Sequence, residues 1–386
     1  MDFNLDPGQQ ALQDRARKLA EEYVAPRAAK WDETEEYPWE NVEQLTTAGL
    51  MGMTIPEEYG GAGRSIFDAI VVVEEMAKVC GITARIVVEG NMGALGVLLK
   101  FGSEELKRRY LPYVLEGDKP AIAISEAEAG SDATAMQTRG VIENGEIVLD
   151  GSKCWITGGG VSRINLVFAR IVENGEEQGI GGVLVERGTK GFTVGRRAYM
   201  MGLRGIPETE LHFENCRVPK DNLLTVGFRN LMSAYNSQRV GAGTVALGLA
   251  QGAYEQALTY AKERKQFGRA IGEFQGLRWM LADSRIALDA ARLLLYRAAT
   301  ELDPETGYPD KELAAIAKVF ASEAAIKITN DALQVFGARG YSRDFPLERM
   351  ARDARMFTIG GGTAQALRNV IGDSILGHKV SQRKEG

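Results

Sequence analysis

The sequence predicts an α+β protein, mostly α, in which a central β domain of barrel or sandwich type separates two helical ones. Two observations predict this. A helical hydrophobic period runs through residues 1–118 and returns over 227–386, where long amphipathic stretches suggest a C-terminal four-helix bundle. Residues 119–226 instead show short β-rich runs with turn signals about every eight to twelve residues. At 386 residues, 45% hydrophobic and 25% charged, the chain can bury several cores and has an ordinary globular composition.

The elements follow in order. Asp6-Pro7 reads as an N-cap with Pro at the first helical position, and Gln9 stands where a capping box wants Glu or Gln. That helix should run through "ALQDRARKLAEEYV" to Pro26. "ENVEQLTTAGLMG", "DAIVVVEEMAKVC", "EGNMGALGVLLKFG" and "SEELKRRYLPYVLEG" continue the helical period, the last opening on Ser103. "GVIENGEIVLDG" is a hairpin on an Asn-Gly turn, and "ARIVENGEEQGIGGVLVE" looks like a second with a longer loop. "GFTVGRRA" and "ELHFENCRV" supply further strands. After Gly227, "NLMSAYNSQRVGAGTVALGLAQGAYEQALTYAKERKQFG" reads as one very long helix. In the next, Leu277, Leu281, Ser284, Leu288, Ala291 and Leu295 share a face, and "DKELAAIAKVFASEAAIKITNDALQVFG" is a third.

Bulk properties narrow the chemistry. A net charge of -6 argues against nucleic acid or an anionic membrane as partner. No stretch reads as a membrane span, and "MDFNLDPGQQ" lacks the marks of a signal peptide, so a cytoplasmic protein is expected. Cys80, Cys154 and Cys216 are dispersed, which makes a disulfide framework improbable. His212 and His378, the only histidines, lie in no motif, so no metal site is expected. Carboxylates, Arg, amides, backbone donors or a bound cofactor remain.

Five separated motifs then resemble, in order, the acyl-CoA dehydrogenase superfamily of flavoproteins: "ISEAEAGSD", "DGSKCWITGGG", "MGLRGIPETELHFENCRVP", "ERKQFGRAIGEFQGLRWMLAD" and "RDARMFTIGGGT". The resemblance covers almost the whole chain and implies FAD, an acyl-CoA substrate and a homotetramer. An isoalloxazine ring needs a flat apolar wall and donors to its polar edge. Trp155 matches the wall, and Ile124, Ser125 and Thr157 match further flavin contacts. Ser131, in the "AGSD" turn of the flavin and CoA loop, matches a CoA contact. Arg264, Phe267 and Gln275 match residues that reach the adenosine pyrophosphate across a subunit interface, with Gln334 and the following "FGARG" backbone as the other half of that clamp. Ala338 replaces a usual glycine there. Thr363 and Gln365 match flavin contacts.

What the resemblance does not supply is a base. In the family, the bend read here as "IGGGT" carries a glutamate that removes the α-proton of the thioester, and the matching position is Gly361. Other members place that base immediately before a CoA-contacting Arg. That Arg matches Arg239, and the residue before it is Gln238, an amide that cannot accept a proton near neutral pH. Arg85 lies one helical turn before Glu89, a position that the resemblance puts near the pocket floor. Arg85, Gln238 and Gly361 together resemble one branch that keeps the flavin but splits sulfite from the β-carbon of a sulfinate-bearing CoA thioester. There Arg85 would bind the sulfinate, and Gln238 would orient it or the attacking water. A short acidic acyl-CoA is thus the expected substrate. A dicarboxylic acyl-CoA dehydrogenase or reductase, with Glu89 as a displaced base, stays open, and it would need an electron-transfer flavoprotein as partner. A solvent-facing Arg85 and a catalytically dead flavoprotein are the plainer alternatives.

Overall fold

The computed structural model describes residues 4–382, so the outermost ends of the expected terminal domains, three residues and four, lie outside it. Helix α1 (Pro7–Leu19) opens on the expected capping box. Gln9 N donates to Asp6 Oδ1 at 2.8 Å and Asp6 N donates to Gln9 Oε1 at 3.0 Å. The helical path reaches Pro26 as expected, but its last part is a π-turn (Ala20–Val24) and a 3-10 turn (Ala25–Arg27). Pro26 lacks an N–H and its ring crowds the carbonyl four residues back, so a regular α-helix cannot pass through it. Then come α2 (Ala28–Thr34), α3 (Trp39–Thr47), α4 (Ile66–Ala77), α5 (Gly81–Asn91), α6 (Ala94–Phe101) and α7 (Glu104–Leu115), the last capped by Ser103.

The central segment is one mixed eight-stranded sheet. It is built from β1 (Ala121–Ala123), β2 (Arg139–Glu143), β3 (Glu146–Thr157), β4 (Ile164–Glu173), β5 (Glu176–Glu186), β6 (Phe192–Ala198), β7 (Glu208–Pro219) and β8 (Leu223–Val226). Strand order is β6-β7-β3-β2-β4-β5-β8, and β1 adds in parallel to β4. Asn144-Gly145 turns β2 into β3 with both residues at positive φ, as expected of that pair. The second hairpin departs from expectation: Asn174-Gly175 closes it in two residues, at φ 54° and 82°, and no longer loop exists. The glycines that suggested a loop lie inside β5, where a Cβ on Gly182 would come within 2.7 Å of Leu231 Cδ2.

The C-terminal segment holds α8 (Phe228–Glu263), α9 (Gln275–Thr300), α10 (Lys311–Phe336), α11 (Ala338–Tyr341), α12 (Leu347–Arg355) and α13 (Ala364–Leu376). The long helix stops at Glu263, short of the expected Gly268. Phe267 and Gly268 take positive φ and fold residues 265–270 into a two-stranded hairpin, β9 (Lys265–Gln266) and β10 (Arg269–Ala270). On α9 the expected face turns inward, with Ser284, Leu288, Ala291 and Leu295 buried.

Two features set the geometry of the interior. Small residues on α8 let it lie directly against α5: a Cβ on Gly241 would fall 2.7 Å from Val88 Cγ1. Arg352 of α12 reaches Asp32 of α2 at 2.6 Å, while the neighbouring Asp353 accepts from Leu203 N at 2.6 Å. Those two contacts tie the C-terminal helices to both other segments.

Candidate active site

The floor of the site comes from α5, on which every residue is buried. Arg85 is 5% exposed, so the solvent-facing reading is overturned: the segment's helical period is apolar all round, and no face of it meets water. Arg85 Nε donates to Glu89 Oε1 at 2.9 Å, one turn on. The other carboxylate oxygen of Glu89 takes a hydrogen bond from Lys119 Nζ, itself 1% exposed and contributed by the segment just before β1. Both oxygens of Glu89 are therefore engaged by cations. Arg85 spends only Nε on the protein, and its two terminal nitrogens hydrogen-bond to no described residue. Two cations against one anion leave the floor with one net positive charge and an open guanidinium fork.

Beside this group, the facing ends of β3 and β7 pair Thr157 with Glu208. Thr157 Oγ1 donates to Glu208 Oε1 at 2.7 Å. Glu208 lines the cleft wall, enclosed by protein yet still touching solvent. That enclosure pushes its carboxyl up to about 7, against the opposing pull of the Thr157 hydrogen bond and of Arg85, with Glu89 pushing it further up.

The opposite wall is α8. Gln238 is 4% exposed, and its Oε1 has no hydrogen-bond partner among the described residues. It lies against Gly93, where a Cβ would be 2.4 Å away, so only glycine leaves the amide its place. An unpartnered buried acceptor costs roughly 1–3 kcal/mol and is ready for a donor brought by ligand or water. The neighbouring Arg239 holds Asn236 Oδ1 at 2.8 Å and the Gly361 carbonyl at 3.3 Å. Lys318, wholly buried on α10, donates to the Gly362 carbonyl at 2.7 Å. Burial, with Arg239 and Arg85 nearby, pulls its ammonium down to about 7.

Thus Arg85, Glu89, Gln238, Arg239, Thr157 and the Gly361 turn converge on one cleft. Lys119, Glu208 and Lys318 join them without having been read from the sequence. Lys119 and Lys318 had a signal, since each is a lone cation in an apolar run ("KPAIAI", "AAIAKVF"). Glu208 had none beyond its place in "RGIPET".

At Gly361 the backbone stands at φ 74°, and a Cβ there would meet only Lys318 Cε, at 4.0 Å. Gly361→Glu should therefore fit at a backbone cost of about 1–3 kcal/mol. The added carboxylate should confer measurable dye reduction with butyryl-CoA that the parent lacks. Continued inactivity of a folded, flavin-loaded variant would show that the thioester's α-carbon does not lie above this turn.

The remaining sequence-selected residues lie away from the floor. Ile124 and Ser125 follow β1, and Ser125 O accepts from Cys154 N at 2.9 Å. Ser131 is exposed in the loop after them. Thr363 caps α13, accepting from Ala366 N at 3.1 Å, with Gln365 exposed behind it. Arg264, Phe267 and Gln275 stand exposed on and around the β9–β10 hairpin, and Gln334 and Ala338 are exposed where α10 gives way to α11.

Family models for the acyl-CoA dehydrogenase N-terminal, middle and C-terminal domains match residues 6–118, 121–216 and 225–376. The chain belongs to the acyl-CoA dehydrogenase family. A 3-sulfinopropanoyl-CoA desulfinase of Cupriavidus necator is 54% identical over 100% of this chain and 99% of its own. One of Variovorax paradoxus is 53% identical over 100% and 98%. Among solved structures, a glutaryl-coenzyme A dehydrogenase in complex with glutaryl-CoA superposes with a TM-score of 0.92 at 32% identity, covering 100% of this chain and 99% of that one.

Membership in the acyl-CoA dehydrogenase family implies FAD, and two aromatic residues fit that group. Trp155 and Phe267 are 62% and 94% exposed, and both sit at positive φ, 57° and 51°. Bulky side chains rarely adopt that conformation, and a chain that pays for it to expose an aromatic face holds a surface for a flat partner. Trp155 would supply the apolar wall, Ser125 and Thr157 the hydroxyls, and Arg264 the charge for a pyrophosphate.

Proposed function

We propose that this chain is an FAD-containing enzyme that converts 3-sulfinopropionyl-CoA to propionyl-CoA and sulfite. The observation that carries the reading is Arg85: buried, oriented through Nε by Glu89, and offering an unused fork on a floor of net positive charge. A sulfinate presents two oxygens to such a fork and takes two charge-assisted hydrogen bonds from it. The relatives named as 3-sulfinopropanoyl-CoA desulfinases support the same substrate.

The residues then divide the work. Arg85 fixes the sulfinate and withdraws charge from its sulfur. Gln238 Oε1, unpartnered in the cleft, accepts a hydrogen bond from a water and aims that water's oxygen at the sulfur. Water oxygen bonds to sulfur, the C–S bond breaks with its electron pair staying on the β-carbon, and that carbon takes the proton released from water. Propionyl-CoA and bisulfite result, with no net electron transfer. Arg239 and Lys318 hold the Gly361–Gly362 turn by its carbonyls beside the thioester. FAD, when bound, supplies a hydride-accepting ring to this family, and hydrolytic C–S cleavage draws no electrons from it. Thr157 and Trp155 serve its binding.

The second reading is a dehydrogenase or reductase for a dicarboxylic acyl-CoA, favoured by the resemblance to a glutaryl-CoA complex. It requires Glu89 to act as base, and Glu89 would first have to leave both Arg85 and Lys119. We further place the enzyme in the cytoplasm as a homotetramer, in which exposed Phe267 and Arg264 meet a neighbouring subunit's cofactor. The deciding experiment gives the yellow holoenzyme 3-sulfinopropionyl-CoA without an electron acceptor and assays sulfite. In parallel, dye reduction is followed with succinyl- and glutaryl-CoA. Sulfite release is expected. Dye reduction at ordinary dehydrogenase rates without sulfite would hand the site to the second reading.

A further inference from the structure

We propose that Glu208 is the proton-holding residue of this site: an acid-tailed CoA ester binds together with one proton, and that proton resides on the Glu208 carboxyl. The inference rests on the acid-tail reading above and adds to it a coupling between substrate charge and solvent protons.

The geometry is a four-charge cluster with an odd member. Arg85 and Glu89 come from α5, Lys119 from the segment before β1, and Glu208 from the start of β7. Three of them are joined by direct ion pairs. Among the described residues, Glu208 has no cation in contact and makes one side-chain hydrogen bond, from the neutral Thr157 of β3. Tyr235 of α8 is the remaining titratable group that feels Glu208, and burial holds its phenol above its ordinary value, so it stays neutral. With Glu208 neutral, the floor carries one net positive charge and can take an anion. With Glu208 ionised, that charge is cancelled, and an incoming sulfinate would meet a carboxylate in an enclosed cleft.

The energetics follow the same direction. The carboxyl already stands near 7 before any anion arrives, and a second anion beside it raises it further. Above pH 7 the neutral fraction falls tenfold per unit, so apparent affinity for an acid-tailed ester should fall by up to about tenfold per pH unit. A neutral ester should show no such loss. Lys318 also titrates near 7 and would add a slope of the same sign, so a pH profile alone cannot assign the proton. A spectroscopic label on the carboxyl can.

The test is infrared difference spectroscopy on the holoenzyme at pH 8, with succinyl-CoA and butyryl-CoA as probes. Proton uptake is measured calorimetrically in buffers of different ionisation enthalpy. Wild type should gain a protonated-carboxyl band and take up a proton with succinyl-CoA, and do neither with butyryl-CoA. E208Q keeps an oxygen to accept from Thr157 and mimics the neutral acid. It should lose the band and bind succinyl-CoA at pH 8 up to about tenfold more tightly than wild type. A band that persists in E208Q, or never forms in wild type that does release sulfite, overturns this inference and leaves the proposed reaction standing. Equal affinity of wild type for both probes at every pH overturns both.

Discussion

Arg85→Gln is expected to lower kcat/KM for 3-sulfinopropionyl-CoA by roughly 30- to several-thousand-fold, the range that follows from about 2–5 kcal/mol for truncating one member of a buried charge pair. The loss has two sources. The sulfinate arrives in a dry cavity without its two donors, and Glu89 keeps only Lys119 as counter-ion. Arg85→Lys should fall between wild type and Arg85→Gln, because an ammonium retains the charge but cannot span two oxygens. Flavin content should stay constant, since no flavin-assigned residue contacts Arg85. Steady-state sulfite assays on both variants, beside absorbance of the bound flavin, check this. Wild-type turnover by Arg85→Gln would remove the acid-tail reading altogether.

The second large effect is on stability. Lys119 lies at 1% exposure against Glu89 at 5%, and Lys119→Met removes the charge while keeping most of the stem's volume. Glu89 keeps Arg85 as a partner but loses the donor to its other oxygen, and a hydrogen bond to a charged group is worth about 1.5–3 kcal/mol. The floor would then hold one cation and one anion, with no net charge for a substrate anion. Adding Glu89→Gln to Lys119→Met removes the anion that Arg85 pairs with and should add to the loss, because the guanidinium is then left as a buried cation without a partner. Denaturant titration of the single and double variants measures both terms. A cost below about 1 kcal/mol for the single variant would mean that water reaches Glu89 and that the floor is wet.

Local features were legible wherever a few adjacent residues decide the outcome. The Asp6–Gln9 capping box, the Ser103 cap and the Asn144-Gly145 turn are complete within four residues, and all form. The second hairpin misled because Gly179, Gly181 and Gly182 signal a turn by composition. Gly181 and Gly182 are in the strand for lack of room, pressed by Ile171 and Leu231 from elsewhere in the chain, while Gly179 is there at a φ of 112°. In the site, Arg85 and Glu89 were legible as an i, i+4 pair, yet their depth depends on α8 packing over α5. Lys119, Glu208 and Lys318 could not be placed by spacing at all, since three separate segments bring them to one cleft.

The open fork of Arg85 also governs how the reaction ends. Once the C–S bond is cut, propionyl-CoA has a methyl group where the substrate had an anion, and it returns nothing to the guanidinium. The grip that selects the incoming ester is thereby dismantled by the chemistry itself. Bisulfite, small and untethered, can exchange with water at the fork, while the CoA moiety keeps the product only by contacts it shares with every CoA ester. Escape of the thioester is thus built into the same side chain that admits it, and accumulated propionyl-CoA should be a feeble competitor for re-entry.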